Sequence, residues 1–257
     1  MLPSTRRCLG GPRRPPPPRS AWGLRPALLL ASWLAAGIGW PALSGCASAR
    51  TPPQLPPPVP DLVAANEALG DPYGGRFPLE EALEGLPGEG PLHARIFTDE
   101  GEIDCVLDLR HAPLTVANFV GLARGRRPFV GDDAKWHTEP FFEDLLWHRA
   151  EEGQFVQTGR RGHQATGGFL LQDEVGYGDS FDRAGVLAMA NTGVEHSGST
   201  QWFITTGPVP HLEGAHTIFG QCDDEAVVRA LERRVARGQR SVRLQRVEIH
   251  RESAPSG

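Results

Sequence analysis

Apolar and polar positions alternate from Leu92 onward, the period-two signature of strands with one buried face. Residues 92–97 and 102–109 flank Asp99-Glu100-Gly101 and predict a hairpin, with Cys105, Leu107 and Leu109 on one face and Asp104 and Asp108 on the other. Further runs at 145–149, 154–158, 186–190, 201–205, 217–222 and 242–250 bring the predicted strands to eight. Twice the period lengthens to that of a helix. Residues 114–123 align Val116, Phe119, Val120 and Ala123 before Gly125. Residues 224–237 align Val227, Ala230, Leu231 and Val235 before Gly238, and a glycine is a common helix stop. This pattern predicts a mainly β fold, a closed eight-stranded antiparallel barrel capped by two α-helices. Upstream, 61–70 and 78–85 carry short helical patterns broken by Asp71-Pro72-Tyr73-Gly74-Gly75. Residues 61–91 therefore read as a short N-terminal helical extension to the barrel.

The first sixty residues have a different character. The chain holds 257 residues and 24 prolines, most of the prolines before position 61. Arg6, Arg7, Arg13, Arg14, Arg19 and Arg25 precede an apolar run at 27–38, and no acid occurs before Asp61. That order matches a signal peptide, and the run is shorter than the roughly 20 apolar residues of a membrane span. Leu43-Ser44-Gly45-Cys46 follows. It resembles the lipobox of bacterial lipoproteins, which implies cleavage before Cys46 and lipidation of its thiol. An uncleaved anchor with a chance cysteine is the alternative. Arg6-Arg7 is only a weak hint of twin-arginine export. The expected organisation is a signal peptide at 1–45, a lipidated cysteine and Pro-rich linker at 46–60, and the accessory segment at 61–91. A folded domain then spans 92–251, with a tail at 252–257. The run PPQLPPPVP at 52–60 suits an extended polyproline spacer; a ligand for a proline-binding module is the rival reading. The localisation expected is the cell envelope, membrane-anchored and facing the periplasm, with the outer membrane favoured by Ala47.

Loss of the leader sharpens the charge balance. Residues 1–45 contain six arginines and no acid, leaving 20 basic against 31 acidic residues. Such an acidic chain is a poor non-specific nucleic-acid binder. Of four cysteines, Cys8 leaves with the leader and Cys46 carries lipid, so Cys105 and Cys222 remain. An oxidising compartment permits a disulfide, yet both sit in predicted strands as small apolar fillers and are expected as free thiols.

The candidate chemistry lies in two segments. WHRAEEGQFVQTG (147–159) supplies Arg149, with Phe155 and Gln157 on one strand face. MANTGVEHSGSTQWFITTGPVPHLEGAHTIFG (189–220) supplies Gln201, Phe203, His211, Leu212 and His216. An arginine, two glutamines and an apolar cluster suit a pocket that grips a proline ring and its flanking peptide bonds. Ser197 and Ser199 lack an ordered base and carboxylate. His211 and His216, five apart without cysteines, make a poor zinc signature, and neither metal nor cofactor is expected. The glycine-rich GHQATGGF (162–169) lacks the lysine of a phosphate-binding loop.

These segments resemble the cyclophilin-type peptidyl-prolyl cis–trans isomerases. WHR, FVQ, GVLAMAN, STQWFIT and HTIFG occur in that family's order, and ANFVGLARG (117–125) resembles its first helix. The resemblance runs from about Leu92 to His250 and implies the same barrel. It assigns Arg149, Gln157 and Phe203 to catalysis. Phe155, Gln154, Ala190, Asn191, Gln201, His211, Leu212 and His216 would bind substrate. Residues 162–169 would form the mobile loop over the site, and His148 reads as a packed structural histidine. The expected partners are proline-containing segments of exported proteins, with the chain a monomer anchored by lipid. Two departures stand out. Gln154 occupies the place of a pocket phenylalanine, and His211 that of a rim aromatic. A proline-peptide binding module with little turnover is therefore the alternative to an active isomerase.

Overall fold

The computed structural model describes residues 53–176, 180–239 and 241–252. The leader, Cys46 and the start of the linker lie outside the described residues. In chain order come α1 (Pro60–Ala68), α2 (Leu79–Leu83), β1 (Leu92–Thr98), β2 (Gly101–Leu107) and α3 (Pro113–Ala123). Next are β3 (Phe129–Val130), β4 (Trp136–His137), β5 (Leu145–Leu146), β6 (Arg149–Glu151), β7 (Phe155–Thr158), β8 (Val186–Met189) and β9 (Trp202–Thr205). A 3-10 turn (Pro210–Leu212), β10 (Ile218–Cys222), α4 (Glu225–Ala236) and β11 (Arg243–Arg251) complete the order.

The closed eight-stranded barrel with two capping helices does not hold. The main sheet is curled, open and nine-stranded, in the antiparallel order β5-β11-β1-β2-β10-β8-β9-β7-β6, and four α-helices accompany it among the described residues. The run expected as one strand at 145–149 is in fact two short strands at opposite ends of that order. Between them the chain changes partners: the backbone N–H of Trp147 donates to Val242 O at 3.0 Å, and that of His148 donates to Gln157 O at 3.1 Å. Among the described residues no ladder joins β5 to β6.

Alternation places the core as expected along β1 and β2. Leu92, Ala94, Ile96, Ile103, Cys105 and Leu107 face inward. Phe119 of α3 meets Trp202 edge-on and packs beside Phe142 and Phe219, filling the concave side. Helix α3 departs from its one-sided pattern, since every residue of it is buried. Its second face is covered by residues 77–83: a Cβ at Gly121 would stand 2.5 Å from the Phe77 ring. Ala112 offers no cap to this helix. The carboxylate of Glu174 does so instead, accepting from Leu114 N at 3.0 Å, Thr115 N at 2.8 Å and Thr115 Oγ1 at 2.8 Å.

The upstream segment is bolted to this body by polar contacts. Asp71 and Arg127 form a fully buried bidentate pair at 2.6 and 2.8 Å. The Arg127 guanidinium also lies 4.0 Å from the centre of the Phe169 ring. Asn66 bonds both Leu170 N and Leu170 O, at 2.7 and 3.0 Å.

The free-thiol expectation is also overturned, because Cys105 and Cys222 form a disulfide. They stand directly opposite each other on β2 and β10, a pairing that a separation of 117 residues conceals in the sequence.

Candidate active site

The last strands of the sheet build the site. Arg149 on β6 is directly opposite Gln157 on β7, and Gln157 is directly opposite Phe203 on β9. The ladder thus sets arginine, amide and aromatic in one row across three strands. Arg149 Nη1 donates to Gln157 Oε1 at 3.3 Å. Gln157 Nε2 donates to Gln201 Oε1 at 3.0 Å, and Gln201 Nε2 donates to Ala165 O at 2.7 Å. Gln201 Oε1 also accepts from His148 Nε2 at 3.1 Å. This chain of amides orients the guanidinium and ties it to the glycine-rich loop.

Arg149 has a second partner absent from the sequence reading. Glu151, two residues on along the same strand face, accepts from Nε at 3.3 Å and from Nη2 at 3.0 Å. Both side chains are about half exposed, so their attraction is screened and modest. Three of the five guanidinium N–H groups are engaged by Gln157 and Glu151.

A cavity of about 300 Å³ opens beside the guanidinium. Of the eleven pocket residues named from sequence, ten line it: Arg149, Gln154, Phe155, Gln157, Ala190, Asn191, Phe203, His211, Leu212 and His216. Gln201 stands behind the wall through its bond to Gln157. Glu151 and Gly193 join the lining without having been anticipated. The floor is aromatic. Phe155 and Phe203 have ring centres 5.1 Å apart, Phe181 stacks on Phe203 at 6.1 Å, and His216 meets Phe203 edge-on at 5.4 Å. The Arg149 guanidinium lies 5.0 Å from the centre of the Phe155 ring, a cation–π distance.

The polar lining residues are mostly committed to the protein. Asn191 Nδ2 donates to Ala215 O at 2.7 Å, and its Oδ1 accepts from Gly193 N at 3.0 Å. His216 Nδ1 donates to Met189 O at 2.9 Å. Burial holds the pKa of His216 below the ordinary imidazole value, and burial does the same for His148. Both imidazoles are neutral at pH 7, so Arg149 is the cavity's one permanent cation. The lining holds no Ser, Thr, Cys or Lys that could act as a nucleophile. The arrangement offers hydrogen-bond donors beside an apolar slot, which is the equipment for binding and polarising an amide without breaking a bond.

Glu232 of α4 is a further residue that sequence reasoning missed. It is buried, accepting from Gly153 N at 2.5 Å and from Thr206 Oγ1 at 2.7 Å. Those two residues flank the Gln154 wall, where Thr206 N also donates to Gln154 O at 2.8 Å. A glutamate on an amphipathic helix reads as solvent-facing, and nothing local marked it.

Comparison with known proteins agrees with this geometry. Residues 93–253 match the family described as cyclophilin type peptidyl-prolyl cis-trans isomerase/CLD. Peptidyl-prolyl cis-trans isomerase A of Mycobacterium tuberculosis is 39% identical over 142 residues, covering 54% of this chain and 78% of that protein. Peptidyl-prolyl cis-trans isomerase B of Streptomyces anulatus is 38% identical over 138 residues, covering 52% and 78%. A crystal structure of a Cryptosporidium parvum cyclophilin type isomerase superposes with a TM-score of 0.52 at 22% identity, covering 63% of this chain and 99% of that one. With the match spanning most of the described domain, the chain belongs to the cyclophilin-type peptidyl-prolyl cis–trans isomerases.

Proposed function

We propose that this domain accelerates rotation about X–Pro peptide bonds of exported proteins, with Arg149 as the transition-state donor. The carrying observation is the Arg149–Gln157 hydrogen bond at 3.3 Å beside the Phe155–Phe203 floor. Rotation is slow because the C–N bond has partial double-bond character, with a barrier of about 20 kcal/mol. No covalent step is required; the catalyst need only bind the twisted amide better than either planar form. When the amide twists, the proline nitrogen recovers a lone pair and accepts a hydrogen bond. A guanidinium already oriented by Gln157 supplies that bond with little reorganisation. Phe155, Phe203, Leu212 and His216 hold the ring, while Ala190, Asn191, Gln154 and His211 border the flanking chain. Gln201 acts through Gln157 as a positioning residue.

Export and lipidation at Cys46 rest on the leader pattern. The Cys105–Cys222 disulfide supports export, because such bonds persist in oxidising compartments. Intact mass and N-terminal analysis of the native protein test this; an unmodified terminus downstream of Cys46 would exclude the lipoprotein form.

The alternative, a binding module with slow turnover, draws on Gln154 in the cavity wall and on Glu151 engaging the guanidinium. Exchange NMR on a short Ala–Pro peptide separates the two. An isomerase accelerates cis–trans exchange catalytically, and Arg149→Ala lowers kcat/KM by about 100-fold or more. Its melting temperature stays near that of the parent, since the side chain is half exposed. Peptide binding without accelerated exchange would establish the module reading instead.

A further inference from the structure

A cluster of ligating side chains lies well away from the proline pocket, across β11, β1 and β2. His93 on β1 is directly opposite His250 on β11. Asp104, on β2, reaches both: His93 Nδ1 is 2.5 Å from Asp104 Oδ1, and His250 Nε2 is 3.6 Å from Asp104 Oδ2. The two imidazole rings are 5.2 Å apart, tilted by 33°. One ligand atom from each residue falls within 4.8 Å of the other two. Along β1 the inward positions are Leu92, Ala94 and Ile96, so His93 projects from the opposite face of the sheet.

We propose that His93, Asp104 and His250 form a binding site for a divalent transition-metal ion, with zinc the best-suited. Two imidazoles and a carboxylate are ligands that zinc accepts, with water completing the tetrahedron. In such a site neighbouring ligand atoms stand about 3.4 Å apart, given metal–ligand bonds of about 2.0–2.2 Å. The distances of 2.5 and 3.6 Å bracket that value. Small side-chain rotations suffice. To bind the ion through Nδ1, His93 takes the tautomer with its proton on Nε2, and the His93–Asp104 hydrogen bond gives way to two metal–ligand bonds. The ladder spaces the three ligands on paired strands, which reduces the ordering cost of assembling them. His93 is also largely withdrawn from water, with its side chain 15% exposed.

Arg95 is the competing group, with Nε 3.7 Å from Asp104 Oδ2. Its side chain is about half exposed, so it can turn to solvent when a metal takes the carboxylate. The other His–Asp contacts, His111–Asp108, His137–Asp133 and His196–Asp173, each bring one imidazole to one carboxylate. They lack the second histidine. In the strand order β10 and β8 stand between β2 and the site-bearing β9, β7 and β6. The ion therefore braces β11, β1 and β2 and takes no part in isomerisation.

The test uses the full chain, stripped with chelator and titrated calorimetrically with zinc chloride at pH 7.5. One ion binds per chain, and the melting temperature rises by several degrees at saturation, as for any ligand of the folded state. His93→Ala and Asp104→Asn each weaken that binding by at least about tenfold and abolish the thermal shift. Their metal-free melting curves and isomerase rates serve as controls for folding. Absence of a zinc site in the parent chain overturns the proposal. So does a zinc titration that is unchanged in the well-folded His93→Ala/His250→Ala variant.

Discussion

Gly153 donates its backbone N–H to the buried carboxylate of Glu232 at 2.5 Å. The bond links helix α4 to the β6–β7 turn, and Thr206 Oγ1 shares the same carboxylate oxygen at 2.7 Å. Glu232 touches no part of the cavity, yet it fixes the turn from which Gln154 and Phe155 enter the wall.

Glu232→Ala leaves two polar groups without their partner, and stability falls by about 1–3 kcal/mol. The loosened wall raises KM several-fold while kcat changes little. Glu232→Gln keeps an acceptor oxygen and recovers most of the lost affinity. A peptide titration with unchanged KM in Glu232→Ala would reduce the residue to a structural bond.

Gln154 is a polar residue in the cavity wall next to Phe155. An amide there retains water or requires a partner. Gln154→Phe removes further apolar surface from water when substrate binds. About 40 Å² at roughly 25 cal/mol per Å² is about 1 kcal/mol, or fivefold in kcat/KM on an Ala–Pro peptide. A rate no higher than the parent's would mean that Phe155, already against Phe203, completes the wall unaided.

The Asp71–Arg127 pair is fully buried. Asp71→Ala strands the guanidinium and lowers unfolding stability by about 3–5 kcal/mol, whereas Asp71→Ala/Arg127→Met regains much of it. Urea denaturation measures both. A loss below 1 kcal/mol in the single variant would show that residues 53–91 detach without disturbing the sheet.

Burial pushes the pKa of Glu174 up to about 6, against the opposing hydrogen bonds from Leu114, Thr115 and the charge of Arg76. The folded chain therefore holds this proton more tightly than the unfolded chain, whose ordinary value is 4.5. The contribution is fully present below about pH 4.5 and is lost as pH rises through about 6, amounting to about 2 kcal/mol. Measured against Glu174→Gln, the parent loses that much additional unfolding stability between pH 4.5 and pH 7. A slope of opposite sign would show that the three hydrogen bonds outweigh burial.

What the sequence disclosed follows the range of the forces involved. Alternation on β1, β2 and β11, the short apolar runs of β8 and β9, and the helical period of α4 arise within a few residues and were legible with small boundary shifts. Strand order and sheet closure depend on pairings between distant segments. The break at Trp147–His148, where one chain run serves two edges, leaves no periodic trace. The two-residue strands β3 and β4 are too short to show a period. Burial of both faces of α3 required knowing that Phe77 lies against Gly121. Around the cavity, motif strings were sufficient to bring ten residues together. Glu151, Glu232 and the His93–His250 pair were hidden because each takes its meaning from a neighbour that only the fold supplies.

The break between β5 and β6 also governs how the molecule meets other chains. A sheet that does not close exposes two rows of unpaired backbone groups, the usual template for aggregation. Here the outer strands are only two and three residues long, and α4 lies against β6. Neither border is long enough to recruit a foreign strand. A domain that binds extended proline-containing peptides can thus hold them without offering its own sheet edge as a pairing template.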